Sequence, residues 1–149
     1  IPREAQIIAF FNDSNHPQIQ EINPDWKRRD ELLGLSVDWD SDEEGDVIRV
    51  KVMSLPVLEK IFKEGFIQPE SRQNFSPTAA EFLAFMRKYP VTVAHGYVVS
   101  PKRPDYRVSI EGLWVRPEDV TWEISHAFEE FCENADELEI GSHLYSWWD

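Results

Sequence analysis

The spacing of apolar residues switches between a helical period and a period of two along the chain, and each switch marks a new element. Pro2–Asn12 reads as a short helix, with Ile7, Ile8 and Phe11 on one side and a proline in the first turn, where its missing N–H costs nothing. Residues 13–23 are polar and irregular. Pro24–Leu33 reads as a second short helix that carries Lys27, Arg28 and Arg29 outward and closes before Gly34. The period then becomes two. Leu35, Val37 and Trp39 alternate with polar residues, as do Ile48, Val50 and Val52, and the acidic segment 40–46 lies between them. That pattern predicts a β-hairpin with one buried face.

Ser54 is placed to cap a helix built on Val57, Leu58, Ile61 and Phe62 and stopped by Gly65. Ser76-Pro77 predicts the start of another, with Ala79, Phe82, Leu83 and Met86 at helical spacing and Pro90 at its end. A second hairpin follows. Its first strand carries Val91, Val93, His95, Tyr97 and Val99 on one face, and its second alternates through Tyr106, Val108, Ile110, Gly112 and Trp114. Pro117 opens the longest helix, with the apolar stripe Val120, Ile124, Ala127, Phe128, Phe131 and Cys132, and one or two short strands end the chain. The order predicts an α+β fold: an antiparallel sheet built from two β-hairpins plus a short C-terminal strand or hairpin, with helices packed mainly on one face. No linker or low-complexity stretch divides residues 1–149, so a single domain is expected.

Composition adds a core and a field. Hydrophobic residues make up 42% of the 149 and aromatics 13%, enough to bury about 68–70% of the unfolded surface. The net charge is −13, and after Arg116 there is no Lys or Arg at all. Such a field repels phosphate backbones and anionic lipid heads, so neither direct nucleic-acid binding nor membrane association is expected. A basic protein is the partner class it favours. The one cysteine, Cys132, cannot form a disulfide within the chain, which points to a reducing compartment, the cytoplasm.

Candidate chemistry is sparse. Asp40, Asp42, Glu44 and Gly45 fall at positions 1, 3, 5 and 6 of an EF-hand calcium loop, but position 12, where a bidentate glutamate is needed, is Lys51, and strands flank the segment. A solvated hairpin tip is the better reading. Glu123 and His126 have the Glu-x-x-His spacing of di-iron sites, yet such a site needs a second motif and further glutamates, which are missing. Glycines too far apart to form a phosphate loop exclude the nucleotide fingerprints. Cys132, on an apolar stripe among glutamates, suits a core filler better than a nucleophile. No cofactor or metal is expected.

Two functional readings remain. The first is an interaction or regulatory module, for example an immunity-type inhibitor, that docks a basic partner through Asp40, Asp42 and Glu44 on the hairpin tip and Glu129, Glu130 and Glu133 on the last helix. The second is an enzyme or small-ligand binder with a pocket between sheet and helices around an inward-looking His95, assisted by Tyr97 or Glu111. The chain is expected as a monomer or homodimer. Head-to-tail pairing would join the acidic first tip to Lys102 and Arg103 on the second.

Overall fold

The computed structural model describes residues 22–41 and 45–149. Among these, four α-helices, α1 (Trp26–Leu32), α2 (Leu55–Lys63), α3 (Ala79–Lys88) and α4 (Trp122–Phe131), accompany five strands, β1 (Val47–Met53), β2 (Val93–Val99), β3 (Val108–Val115), β4 (Glu137–Ile140) and β5 (Leu144–Trp147). The sheet order is β1-β2-β3-β5-β4, with every neighbouring pair antiparallel, and the class is α+β. The helix expected over Pro2–Asn12, and the loop carboxylates Asp42 and Glu44, lie outside the described residues. No helix among the described residues is long and apolar enough to cross a membrane.

The sheet holds two hairpins and one single strand, with one hairpin different from that expected. β2–β3 and β4–β5 are the hairpins, while β1 pairs with β2 along its edge, from Val47 opposite Val99 to Met53 opposite Ala94. Residues Leu35–Trp39 form no strand because they are tied to α1 instead. The Leu35 N–H donates to the Asp30 carbonyl (2.8 Å), and Trp39 Nε1 donates to the Asp30 carboxylate (2.8 Å). Their alternation still serves burial, since Leu35, Val37 and Trp39 all pack on the core.

Arg29 departs furthest from expectation. It points inward and is 0% exposed, with its guanidinium 4.8 Å from the Tyr106 ring centre and 5.6 Å from that of Trp39. Its Nε donates to Asp30 (2.9 Å) and its Nη1 to the Val99 carbonyl (2.8 Å), which joins α1 to the end of β2. Lys27 does face solvent, and Arg28 turns to Glu64 and Glu31.

Helix ends follow local chemistry. Gly65 adopts φ +81°, the left-handed conformation that stops α2. The cap of α3 is Thr78 rather than Ser76. Thr78 Oγ1 accepts from the Glu81 N–H (3.2 Å) and Glu81 Oε1 accepts from the Thr78 N–H (2.8 Å), a capping box, while Ser76 Oγ closes the preceding turn by accepting from the Gln73 N–H (3.0 Å). Thr78→Ala is expected to cost about 1 kcal/mol in urea unfolding. Pro117 begins a 3₁₀ turn, Pro117–Asp119, and α4 itself starts after Thr121, which accepts from the Ile124 N–H (3.2 Å).

One face of the sheet builds the core. Val50 and Met53 of β1, Ala94 and Val98 of β2, Val108, Ile110, Leu113 and Val115 of β3 and Leu144 of β5 share a cluster with Leu58, Ile61, Phe82, Leu83, Met86, Ile124 and Phe128 from the helices. Trp148 joins it, edge-on to Phe82 at 5.5 Å, whereas Trp147 stays half-buried. Two bulges shift the alternation. The β1 register slips between Val50 and Met53, and in β3 Glu111 is the extra residue between the pairs Gly96–Ile110 and His95–Gly112. β2 itself has no extra residue: Ala94 and Val98 join the core cluster, and Val93, His95, Tyr97 and Val99 share the opposite face. His95 does not look into the core.

Candidate functional site

That opposite face carries a cleft of about 270 Å³ lined by Arg49, Lys51, His95, Trp114, His143 and Tyr145. Every one of these residues comes from β1, β2, β3, β5 or the turn before β5, so the cleft belongs to the sheet and not to the gap between sheet and helices. Alternation explains the membership. Arg49 sits between the core-side residues Ile48 and Val50, Trp114 between Leu113 and Val115, and Tyr145 between Leu144 and Ser146. Trp114 pairs directly with Tyr145 across β3 and β5, which sets their two rings side by side.

Gly112 determines the position of His95. The glycine leaves a gap in β3 through which the His95 ring crosses from β2 to reach β5. There His95 Nε2 lies 2.9 Å from the Ser146 carbonyl oxygen, and the ring stacks on Tyr145 with centroids 5.2 Å apart and planes 6° from parallel. A Cβ on residue 112 would overlap the Ser146 carbonyl oxygen and stand 2.7 Å from His95 Nε2. A carbonyl oxygen only accepts, so Nε2 carries the proton and the neutral ring keeps its lone pair on Nδ1.

Burial lowers the His95 pKa below its ordinary 6.5; the Ser146 hydrogen bond and the nearby Glu111 charge act the other way without cancelling it, and Arg49 adds to the lowering. Folding thus favours the neutral ring. The unfolded chain binds the extra proton first as the pH falls below about 6.5, so this part of the stability is present above that pH and is lost on acidification towards the folded pKa. The drop in urea midpoint between about pH 7.5 and about pH 5.5 is expected to be smaller in His95→Gln, whose amide N–H can replace Nε2–H, than in the unmodified chain. An equal drop in both would show that His95 titrates alike folded and unfolded.

The charges around the cleft nearly balance. Arg49 Nη1 donates to Glu111 Oε1 at 2.7 Å, and His143 Nε2 lies 2.9 Å from Glu139 Oε2. Lys51 is exposed, and among the described residues no carboxylate pairs with it. Burial raises the Tyr145 phenol, and the carboxylates of Glu137, Glu111 and Glu139 add to that against the opposing charge of Arg49, so it stays protonated and able to donate.

No protein-family model, curated protein or solved structure matches this chain.

Of the residues singled out from sequence, the structure brings His95 and, through Arg49, Glu111 to this cleft. Tyr97 lies on the same face but does not line it. Its hydroxyl accepts from Gln73 Nε2 (2.9 Å) and Arg107 Nη2 (2.8 Å). Burial pushes that phenol up, but hydrogen bonds with Ser109, Gln73 and Arg107, and the Arg107 charge, together hold it below the usual range. Asp40 is on the surface and ion-paired with Lys102 Nζ (2.6 Å), whose hydrogen bond and charge hold its carboxyl below the usual range. Asp40 and Lys102, one charge from each tip, thus meet within one chain, and Arg103 is held by Asp105 (2.6 Å).

Glu129, Glu130 and Glu133 are exposed in and just after the last turn of α4, and among the described residues no cation pairs with them. Glu123 and His126 are exposed on the same helix, and no group of three His, Cys, Asp or Glu among the described residues could hold a metal. Cys132 is fully buried, which pushes its thiol up to about 12 and makes it inert at neutral pH. Sequence reasoning missed Arg49, Lys51, Trp114, His143 and Tyr145. Alternation on β1 already placed Arg49 and Lys51 away from the core, but their convergence with Trp114 and Tyr145 depends on the bulges.

Proposed function

We propose that this chain is a small-ligand-binding module whose site is the cleft around His95. One observation carries the reading: the rings of His95, Trp114 and Tyr145 converge with the cations Arg49 and Lys51 on a single concave patch of the sheet. Aromatic walls with a few convergent polar groups are the usual make-up of a ligand pocket, and this one lies just below the usual size range of about 300–1,000 Å³. The ligand is therefore small. Its flat surface lies along Trp114 and Tyr145, and the lone pair on His95 Nδ1 accepts a hydrogen bond from it. The test is a screen of small planar compounds by protein-observed NMR, with Trp114→Ala as control. Binding that shifts cleft resonances and is lost in Trp114→Ala supports the reading; a broad screen that moves none of them contradicts it.

A second reading is favoured by Trp122, which is 91% exposed at the start of α4. Residues 122, 126, 129, 130 and 133 follow one side of the helix, so an exposed indole stands in line with three glutamates that pair with no cation among the described residues. Such a face suits a basic protein, with Trp122 as the anchor. A contact made through it weakens with added salt and with Trp122→Ala, and is lost when Glu129, Glu130 and Glu133 all become Gln. A reducing, cytoplasmic setting belongs to the same proposal, supported by the lone, buried thiol of Cys132.

A further inference from the structure

The charges lining the cleft narrow the class of ligand. Arg49 and Glu111 neutralise each other at 2.7 Å, and the residue pair has side-chain exposures of 57% and 10%, so the carboxylate lies beneath and the guanidinium faces the cleft. His143 and Glu139 form a second, more exposed pair. The His95 ring, with its one proton on the Ser146 carbonyl, adds no charge at neutral pH. Among the described residues that line the cleft, what remains is one cation, Lys51, in a protein whose net charge is −13; the Arg116 guanidinium, which is not part of the lining, lies 5.2 Å from the Trp114 ring centre. A field of that sign repels anions except where a local cation is uncompensated, and within the cleft lining that cation is Lys51.

We infer that the ligand of this cleft is a small planar monoanion, such as an aromatic carboxylic acid, with its ring along Trp114 and Tyr145 and its acid group on Lys51. The inference rests on the ligand-binding reading above and adds to it the sign and size of the charge. One uncompensated cation matches one negative charge. A polyphosphate would bring several charges to a single ammonium inside a strongly acidic molecule, and a cleft of about 270 Å³ is small for a nucleotide. Arg49 bonds Glu111 through Nη1 alone, and its remaining N–H groups are placed to orient the same acid group. The ring is the ligand's second requirement, because an ammonium exposed to water holds a lone carboxylate only weakly.

Isothermal titration with three matched probes tests this: naphthalene-2-carboxylate, its neutral carboxamide, and naphthalen-2-yl phosphate, which is largely dianionic at neutral pH. The carboxylate is expected to bind about tenfold more tightly than the carboxamide, the worth of roughly one charge-assisted contact. Lys51→Gln, a change at an exposed side chain, is expected to abolish that difference. Equal or tighter binding of the carboxamide, or of the phosphate, overturns the monoanion and leaves the ligand site standing. A carboxylate preference that survives Lys51→Gln also overturns it, since the charge would then be read elsewhere. If none of the probes binds while Trp114 and Tyr145 resonances stay unmoved, the ligand site itself falls.

Discussion

Gly112→Ala should destabilise the chain by about 3 kcal/mol or more, among the largest losses available to a one-carbon change. The added methyl has no flexible neighbour to displace. It would meet the Ser146 carbonyl oxygen and carbon, which are backbone atoms of β5, and the edge of His95, a ring already fixed by its stack on Tyr145. Relief requires β3 and β5 to separate, and these strands are joined through the pairs Trp114–Tyr145 and Val115–Leu144 and through the Leu113 N–H to Ser146 Oγ bond (3.1 Å). Separation would break the His95–Ser146 bond and disturb the Trp148 N–H to Glu111 carbonyl bond (2.8 Å) beside the bulge. Gly141→Ala is the matched control, because nothing lies within 4 Å of a Cβ there, and it should shift stability by less than about 0.5 kcal/mol. Urea unfolding of both variants reads the difference. Equal midpoints would mean that the glycine gap does not govern how His95 reaches β5.

Arg29→Met is expected to cost about 3 kcal/mol. The loss comes less from the missing contacts than from what is left behind. Asp30, 5% exposed, would keep its charge in the interior with only the Trp39 indole N–H and no cation. The stacks on Tyr106 and Trp39 would go as well, although methionine fills much of their space. Arg29 Nη2 is buried without a hydrogen-bond partner, so the native arrangement is itself imperfect, and this holds the cost near the lower end of the range for broken buried pairs. Asp30→Asn added to Arg29→Met should recover a substantial part of the loss, because no charge is then stranded. A double variant as unstable as the single one would show that the stacking, and not the pair, holds α1 in place.

The two cases also mark where the sequence could and could not be read. Period-two alternation found β2–β3, and helical spacing found α2, α3 and α4, because each depends on neighbours a few residues apart. The same alternation suggested a strand over Leu35–Trp39, where burial repeats every second residue but the backbone bonds go to α1 through Asp30. Three consecutive basic residues read as a solvated face, yet Arg29 turns inward because Trp39 and Tyr106, distant along the chain, form its walls. His95 was legible as a residue worth attention but assigned to the wrong face. β2 is buried on both faces, with Val93 and Val99 covered as well as Ala94 and Val98, so its alternation groups His95 with Val93 and Val99 without telling which face meets the helices. The cleft exists only once four strands, β1, β2, β3 and β5, are in register, so its aromatic walls could not be grouped in advance. The exposure of Glu129, Glu130 and Glu133 needed only a helical wheel.

If the sheet face opposite the core holds an open, aromatic ligand site, the indole N–H signals of the six tryptophans will report it during titration with naphthalene-2-carboxylate. The Trp114 signal should move in proportion to occupancy, while Trp122, on α4, and Trp148, in the core, stay in place. Movement of Trp122 with Trp114 unchanged, or no movement at saturating probe, would contradict the claim.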